Sequence, residues 1–501
     1  MEKTDSRPQH VERAFTASPQ GMEAGKYSDL YTEDRVAHLS EEHRQYLLAR
    51  HGTLDLDPIP DMNDADPYNW PRWRKSINLT LVAFHAMMAT FTAASIQCAF
   101  QNISEDLGVS IQDTSYLVSL VIAILGGAPL FWRPLCNRFG RRPVFLVSLV
   151  CSLIGNIGCA KCPTYATMGL CRAITAFFIS PAAAIGSAVV TETFFKKDRG
   201  RFIGAWTLGV PASPFIFGFV TLRVGYRWIY YTLAIINAIQ LILYLFLGLE
   251  SLYPRGQNTT HKVSSVKQSL FKFGRIDAAP LKLWDFIQPL SYITKPCVFI
   301  PAVAYAMIFL WGSVMVSIEI PLIYPQKFAF NSQQVGLQFL GVITGSIIGE
   351  QVGGLISDRW MLMRAKRTGE PPAPEYRLWL SYIGLALTIC GIVVFVIQLR
   401  DSGDTWDITP IIGSAIAASG NQIVTTINIT YAVDCYYEDA ASVGVFISFV
   451  RQTWGFIGPF WFPQMFETVG WVGGAGISVA LMVGFSVIPT ILVQWRGASW
   501  R

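Results

Sequence analysis

Four ionisable side chains stand inside long apolar stretches of this sequence: His85, Arg172, Glu319 and Glu350. A charge in such surroundings is costly unless it is paired, hydrated or used for function. Histidine exchanges a proton near neutral pH, and a carboxyl group can also transfer a proton or balance the charge of a ligand. Together these groups indicate proton movement or the binding of a charged compound within an apolar environment.

Each of the four side chains also has a structural interpretation. His85 can be a packed histidine, and Glu350, which lies among glycines, can pair with a neighbouring helix. Glu319 lies near one end of its apolar stretch, where a hydrated rim would suit a carboxylate. Arg172 needs an acid, a carbonyl group or water, which predicts that it faces the interior of a helix bundle.

Uncharged polar and aromatic side chains in the same stretches are candidates for contacts with a substrate. Amide groups orient a polar compound, and aromatic rings supply stacking area. Tryptophan is also common at membrane interfaces, so these residues have a second interpretation. The candidates for a substrate cavity are Asn421, Gln422, Asn428, Trp206 and Trp311, with Trp454 as a further aromatic residue.

The stretches that must position these side chains are typical of membrane spans. The chain has 501 residues, of which 52% are hydrophobic and 15% charged, whereas soluble domains contain about a quarter of charged residues. A helix needs about 20 mostly apolar residues to cross a bilayer, and about twelve such runs are present. They cover residues 76–100, 112–132, 144–161, 165–190, 202–222, 228–249, 296–322, 335–357, 378–398, 408–432, 443–462 and 472–495.

Polar segments divide these runs into two groups of six. The start of the chain has no apolar region typical of a signal peptide and predicts a largely disordered tail, apart from a short helix around residues 40–50. Residues 362–377 are expected to form a loop. The fold class is an all-α membrane protein of two six-helix bundles. The predicted units are the tail at 1–75, a first bundle at 76–250, a central loop at 251–295 and a second bundle at 296–501.

Lys and Arg cluster in the loops at one end of the spans, while the loops at the other end contain mainly acids. Cytoplasmic loops retain basic residues, so both termini are expected in the cytosol. The net charge of +5 is then a topology signal, and no binding of nucleic acid is expected. We expect a multi-pass protein of the cell membrane, although a vacuolar membrane is equally compatible with the spans.

Little in the sequence suggests an enzyme or a metal site. It contains no phosphate-binding loop, no nucleophile elbow and no cluster of metal ligands, and most of its nine cysteines fall within or beside the spans. A process driven by ATP is therefore not expected, and neither is a metal or a cofactor. The sequon at Asn102 is the one on the expected outer face and predicts a glycan there.

Two loops at the basic end share a pattern of glycine and arginine. One follows the second span and the other ends the eighth. Glycine permits a tight turn, and guanidinium groups bond carboxylates and helix-end carbonyls. We expect these contacts to act as gates, with Glu192 and Asp434 receiving the arginines of the two loops. The loop residues are Asn137, Arg138, Gly140, Arg141, Arg142, Asp358 and Arg359.

The first of these loops resembles the motif of the major facilitator superfamily between spans two and three. Within that superfamily the chain is similar to the fungal drug:proton antiporters with twelve spans, because residues 66–75, Asp-Pro-Tyr-Asn-Trp-Pro-Arg-Trp-Arg-Lys, resemble the stretch before their first span. The resemblance covers the chain from about residue 66 to its end. It implies two six-helix bundles related by a pseudo-two-fold axis around a central cavity.

Other motifs of the family are present in altered form. Arg172 is retained in the fourth span, but Thr175 and Ala176 replace the Gln-Gly that follows it in the family. Asn137 replaces the usual acid of the first loop, so Asp358 is expected to contribute more of the gate. The fifth span resembles the antiporter motif, in which prolines bend the helix and small residues allow close contacts, although a merely bent, packed helix is the alternative. Its residues are Gly209, Pro211, Pro214 and Gly218.

Three functions follow from the resemblance and its departures. The first is a carrier that exports a drug or secondary metabolite in exchange for protons. The second is uptake of a polyamine, vitamin or organic acid by a proton symporter. The third is a membrane sensor that has lost transport, against which the buried Arg172 and Glu350 argue. The expected partners are a small-molecule substrate, protons and the lipid bilayer, and the protein is expected to be a monomer.

Overall fold

The computed structural model describes residues 39–195, 212–253, 276, 280–369, 372–403, 405–436 and 439–501. Within these residues the regular structure is helical, and no β-strand is found. The membrane requires this, because a helix satisfies its backbone N–H and C=O groups within its own segment.

A helix in the described chain matches each of the twelve apolar runs. Ten of these helices are long and apolar enough to cross a bilayer. Of the other two, one is described over 13 residues and one, of 27 residues, contains more polar side chains. They are α1 (Arg72–Leu107), α2 (Ile111–Phe139), α3 (Arg141–Lys161), α4 (Tyr165–Thr193), α5 (Ala212–Val224), α6 (Arg227–Leu247), α7 (Pro296–Phe328), α8 (Ser332–Thr368), α9 (Pro374–Asp401), α10 (Thr409–Cys435), α11 (Ala440–Phe460) and α12 (Phe462–Trp500).

The eighth helix is longer than the sequence predicts. It continues to Thr368, so the expectation of a loop at residues 362–377 is wrong for the first part of that range. No glycine or proline interrupts residues 363–368. The helix therefore ends only at Gly369, whose φ of +73° is left-handed and suits a glycine.

The chain before α1 has a defined structure from residue 39. The helix expected around residues 40–50 is confirmed as Glu41–His51. The segment after it packs on the end of α4, where the Tyr68 hydroxyl donates to the carbonyl oxygen of Thr191. The expectation of a disordered tail, which excepted the short helix around residues 40–50, is therefore wrong for residues 52–71.

Helices α1 to α6 and α7 to α12 form two bundles. In the first, α4 packs against α1, α2 and α3; in the second, α10 packs against α7, α8 and α9. Glycines allow the closest approach in the second bundle. A Cβ at Gly345 or Gly349 of α8 would overlap the carbonyl oxygen of Ala415 or Ser419 of α10, so these helices cross nearly backbone to backbone.

The bundles contact each other at both ends. At the basic end, which bears the arginine-rich loops, Arg133 of α2 donates to the side chains of Gln288 (2.8 Å) and Ser442 (2.6 Å). At the opposite end Gln112 donates to the carbonyl oxygen of Pro459 (2.7 Å). A cavity remains between the two sets of contacts.

Candidate functional site

The cavity between the bundles has a volume of about 310 Å³. Helices α1, α2 and α4 form one wall, which is mostly apolar, and α7, α8, α10 and α11 form the other, which holds most of the polar groups. Among the described residues, no three His, Cys, Asp or Glu side chains gather as metal ligands would. The volume falls at the lower end of the range for small-molecule sites, about 300 to 1,000 Å³, so the space suits a small organic compound.

Two of the predicted cavity residues, Asn421 and Gln422 of α10, line this space. Asn428 does not, because its side chain lies between helices, where α9 donates a hydrogen bond to it (3.3 Å). Trp311 is fully buried away from the lining, and Trp206 lies outside the described residues. These helices are apolar around their circumference, so the sequence does not show which face is turned to the cavity.

The cavity also contains a cation that is missing from the sequence-based candidates. Arg451 of α11 is the one charged side chain among the described lining residues. Its guanidinium carbon lies 4.8 Å from the ring centroid of Phe309, and Nη1 donates to the Tyr305 hydroxyl (3.1 Å). The signal is present in the sequence, since Arg451 is an isolated charge inside the apolar run 443–462.

Glu350 of α8 lies against α10. One hydrogen bond connects it to Gln422, a residue that lines the cavity. Its carboxylate accepts from Gln422 Nε2 (2.5 Å) and from the Thr426 hydroxyl (3.3 Å). This is the pairing with a neighbouring helix that the structural interpretation predicts. Because Gln422 lines the cavity, a compound bound there can still affect Glu350 through that amide.

Glu319 of α7 is in the protein interior. It is 3% exposed, and its Oε1 has no hydrogen-bond partner among the described residues. The preceding residues Ser317 and Ile318 line the cavity. The hydrated-rim interpretation is therefore wrong, and Glu319 is a carboxyl group whose charge would be costly at this position.

His85 of α1 lies away from the cavity. It is fully buried between the rings of Phe145 and Tyr244, whose centroids are 5.5 and 6.0 Å from its own. The Ser148 hydroxyl shares a hydrogen bond with its Nε2 (3.1 Å). These surroundings match the packed-histidine interpretation, and a role in proton coupling stays a prediction.

Arg172 of α4 faces the interior of the first bundle. Its guanidinium donates to the carbonyl oxygens of Leu117 and Ala93, each at 3.3 Å, and to the Tyr230 hydroxyl at 3.4 Å. Carbonyl groups are among the partners that the sequence predicts for it. The contacts join α4 to α1, α2 and α6, and they offset the cost of the buried charge.

The first arginine-rich loop forms the predicted pair with α4. Gly140, with a φ of +96°, makes the turn between α2 and α3. Arg141 Nη2 lies 2.6 Å from Glu192 Oε1, and Arg141 Nη1 donates to the amide oxygen of Asn137 (2.7 Å). Asn137 thus keeps a hydrogen bond to the arginine but supplies no charge.

A carboxylate that the sequence analysis does not select completes this cluster. Glu250, just beyond α6, accepts from the backbone N–H groups of Arg141 (2.9 Å) and Arg142 (3.0 Å). Burial raises the pKa of the Glu250 carboxyl, although these donors oppose the shift. Arg138 pairs with Asp285 of the central segment at 3.5 Å. The loop therefore contacts α4, the end of α6 and the central segment.

We expect Glu250→Ala to destabilise the protein by about 1 to 3 kcal/mol, because backbone donors at the start of α3 lose their acceptor. Thermal unfolding in detergent measures the change. Glu467→Ala, which removes an exposed acid of α12, is the matched control and should leave the midpoint unchanged. Equal midpoints for the two variants would contradict the role assigned to Glu250.

The second loop pairs differently from the prediction. Asp358 and Asp434 both lie against Arg377 of α9, at 3.0 and 3.6 Å, so the expectation that Asp434 receives Arg359 is wrong. Arg359 follows Asp358 by one residue, about 100° further around the helix, and it is exposed. The α-helix continues where a loop was expected, and the partner cation comes from the next helix.

The described part of the fifth-span motif forms a contact between the bundles. Gly209 and Pro211 lie outside the described residues. Gly218 crosses Gly336 of α8, and a Cβ on Gly218 would lie 3.2 Å from the Cα of Gly336 and 2.7 Å from the carbonyl oxygen of Ser332. The close helix contact expected from the motif is therefore found at Gly218, one turn after Pro214.

Asn102, the predicted glycosylation site, also lies where the bundles meet. Its amide oxygen accepts from the Ser332 hydroxyl at 2.6 Å. This contact joins α1 to α8 at the opposite end. A glycan on Asn102 stays a prediction, and it would have to fit beside this contact.

Known proteins share both the sequence pattern and the fold. A family model for the Major Facilitator Superfamily matches residues 80–459. The MFS-type transporter penM of Penicillium rubens is 26% identical over 447 residues, which cover 86% of each chain. The efflux pump vrtL of Penicillium aethiopicum is 24% identical over 489 residues, which cover 90% of this chain and 93% of its own.

A solved structure supports the same fold. The crystal structure of the peptide transporter POT aligns with a TM-score of 0.60 at 13% identity, over 85% of this chain and 96% of its own. The family model spans most of the chain, and members of this family are carriers, not enzymes. With its two helical bundles around a central cavity, the chain belongs to the major facilitator superfamily and is a multi-pass membrane transporter.

Proposed function

We propose that the protein exports a small organic molecule, a drug or secondary metabolite, in exchange for protons by alternating access. The observation that carries this proposal is Glu319, a buried carboxyl group with no partner for Oε1 among the described residues, on a helix that lines the central cavity. Such a group can take up a proton from one side of the membrane and release it to the other.

Glu350 is the second acid of the proposed cycle. Gln422 lines the cavity and donates to Glu350. A compound that bonds to Gln422 would weaken that hydrogen bond and change how readily the carboxylate binds a proton. Substrate binding and protonation would then be linked through one amide side chain.

Alternating access in this proposal is a movement of the bundles at 76–250 and 296–501, joined by residues 251–295. The tail at 1–75 and the C-terminus face the cytosol, an orientation supported by the basic loops at one end. Arg141 and Glu192 act as one gate and Arg377 with the two acids as the other. The described lining residues all belong to one chain, which supports a functional monomer, and we place this monomer in the cell membrane.

The name of one relative favours export over uptake. The relative vrtL is named an efflux pump, and it covers nearly all of this chain. Proton-coupled uptake would use the same cavity and the same acids. The direction of exchange is therefore the quantity to measure.

In vesicles reconstituted with the full chain, we expect compounds from a panel of drugs, polyamines and organic acids to evoke proton movement under a pH gradient. Glu319→Gln should reduce this movement at least about a hundredfold, because glutamine keeps the shape of the side chain but binds no proton. Exchange of labelled for unlabelled compound at equal pH on both sides should persist in the variant.

Glu467→Gln, an exposed acid of α12, is the control and should behave as the wild type. Proton movement at the wild-type rate in Glu319→Gln would exclude Glu319 as the coupling group. Net transport of a compound in the inward direction would mean that the protein is an uptake carrier and not an exporter. A wild-type protein that exchanges none of the compounds would favour the sensor.

A further inference from the structure

We infer that the cavity binds an organic anion, with its negative group on Arg451 and its apolar body on the opposite wall. This deepens the proposed function and rests on it for one point, that the cavity is the transport site. The inference restricts the proposed substrates, drugs or secondary metabolites, to organic anions.

Arg451 is held in place but keeps donors available for a ligand. Its guanidinium carbon lies 4.8 Å and 5.8 Å from the ring centroids of Phe309 and Tyr305, and Nη1 donates to the Tyr305 hydroxyl (3.1 Å). Its Nε has no acceptor among the described residues. A guanidinium has five N–H donors in a planar fork that matches a carboxylate, so an anionic ligand can use those that the protein leaves unbonded.

No carboxylate of the described chain lies within ion-pair distance of Arg451. Glu350, the acid that borders the cavity, is already bonded by Gln422 and Thr426. A half-buried cation without a counter-charge is costly, and an anion bound beside it offsets that cost. A cationic compound would instead be repelled by Arg451, the one charged side chain among the described lining residues.

Two amide oxygens of residues that line the same cavity as Arg451 lack donors. Asn421 Oδ1 and Gln452 Oε1 belong to lining residues that are 8% and 5% exposed, and neither atom has a hydrogen-bond partner among the described residues. Buried acceptors of this kind are satisfied when a ligand brings a hydroxyl or N–H group. The fitting ligand is therefore an organic anion that also carries a donor.

The facing wall is mostly apolar. Its apolar part includes Ala86 and Ala93 of α1 and Val118, Ile122 and Leu125 of α2, beside the polar side chains of Thr90 and Gln97. Apolar surface of this kind binds the body of an aromatic or aliphatic ligand, while the polar wall fixes its orientation. With a cavity of about 310 Å³, the ligand has the size of one or two fused rings, as in an aromatic carboxylate or a phenolate.

Three probes of nearly equal shape test the charge preference: naphthoate, naphthamide and aminomethylnaphthalene, which are anionic, neutral and cationic at neutral pH. Their binding to the purified full-length protein is measured by calorimetry in detergent, without a proton gradient. We expect naphthoate to bind about ten- to a hundredfold more tightly than naphthamide, and the amine to bind most weakly.

Arg451→Gln should remove the advantage of naphthoate over naphthamide, while Arg451→Lys should keep part of it because the charge remains. Arg496→Gln, which removes an exposed cation at the end of α12, is the control and should keep the full preference. If Arg451→Gln fails to fold, the binding of the three probes to the wild-type protein still tests whether the cavity prefers an anion.

Equal binding of the three probes, a preference for the amine, or no binding of naphthoate would overturn the inference. So would an unchanged preference in Arg451→Gln. Charge selectivity that persists in a protein unable to exchange protons would leave this inference standing and overturn the proposed export mechanism alone.

Discussion

Replacement of Gly345 by alanine is expected to leave little folded protein, although the change adds one methyl group. A Cβ at this position would overlap the carbonyl oxygen of Ala415 and lie 2.8 Å from its carbonyl carbon. These are backbone atoms of α10, so no side chain can rotate away. The two helices would have to separate along their contact, which costs more than about 3 kcal/mol in a packed core.

Gly354→Ala is the matched control, because Gly354 lies in the same helix and its Cβ would meet nothing within 4 Å. We would compare the yield of monodisperse protein and the unfolding midpoint of the two variants. Gly354→Ala should match the wild type. If Gly345→Ala proved as stable as Gly354→Ala, the close crossing of α8 and α10 would be incorrect.

Much of the fold can be predicted from the sequence, because the bilayer allows few alternatives. An apolar run of about 20 residues has to be a helix when its backbone meets lipid. Helix ends are predicted less well, since a helix that leaves the membrane continues until something stops it. For α8 the stop is Gly369, twelve residues beyond the predicted end of the span at residue 357, and the same error led to the wrong partner for Asp434.

The candidate site is only partly predictable, for a different reason. The cost of burying a charge identifies Arg172 and Glu319 as residues that need an explanation, and the same rule applied to α11 would have found Arg451. This rule does not, however, show whether a buried polar side chain borders the cavity or packs between helices. Asn421 and Asn428 are seven residues apart on α10, yet one lines the cavity and the other packs between helices. Seven residues are about two helical turns, so both amides lie on the same face of α10, and the sequence does not reveal how far along that face the cavity extends.

The contact between Gly218 and Gly336 allows a test of alternating access itself. We expect Gly336→Val to fold but to lose closure at the opposite end, because a Cβ there would lie 2.7 Å from the carbonyl oxygen of Pro214 in the other bundle. The clash falls between the bundles and not within one. An overpacking cost of about 1 to 3 kcal/mol would lower the ratio of closed to open protein about five- to 150-fold.

Labelling of Gln97→Cys with a membrane-impermeant maleimide measures this closure, because Gln97 lines the cavity and is 5% exposed. Gly336→Val should raise the labelling rate by a similar factor, whereas Gly127→Val, whose Cβ would meet nothing within 4 Å, should not. The parent chain without the added cysteine reports the reaction of its nine native cysteines. Equal labelling in the two valine variants would mean that the glycine contact does not hold the bundles together. Faster labelling in Gly336→Val alone would instead identify that contact as the closure that each transport cycle must open and re-form.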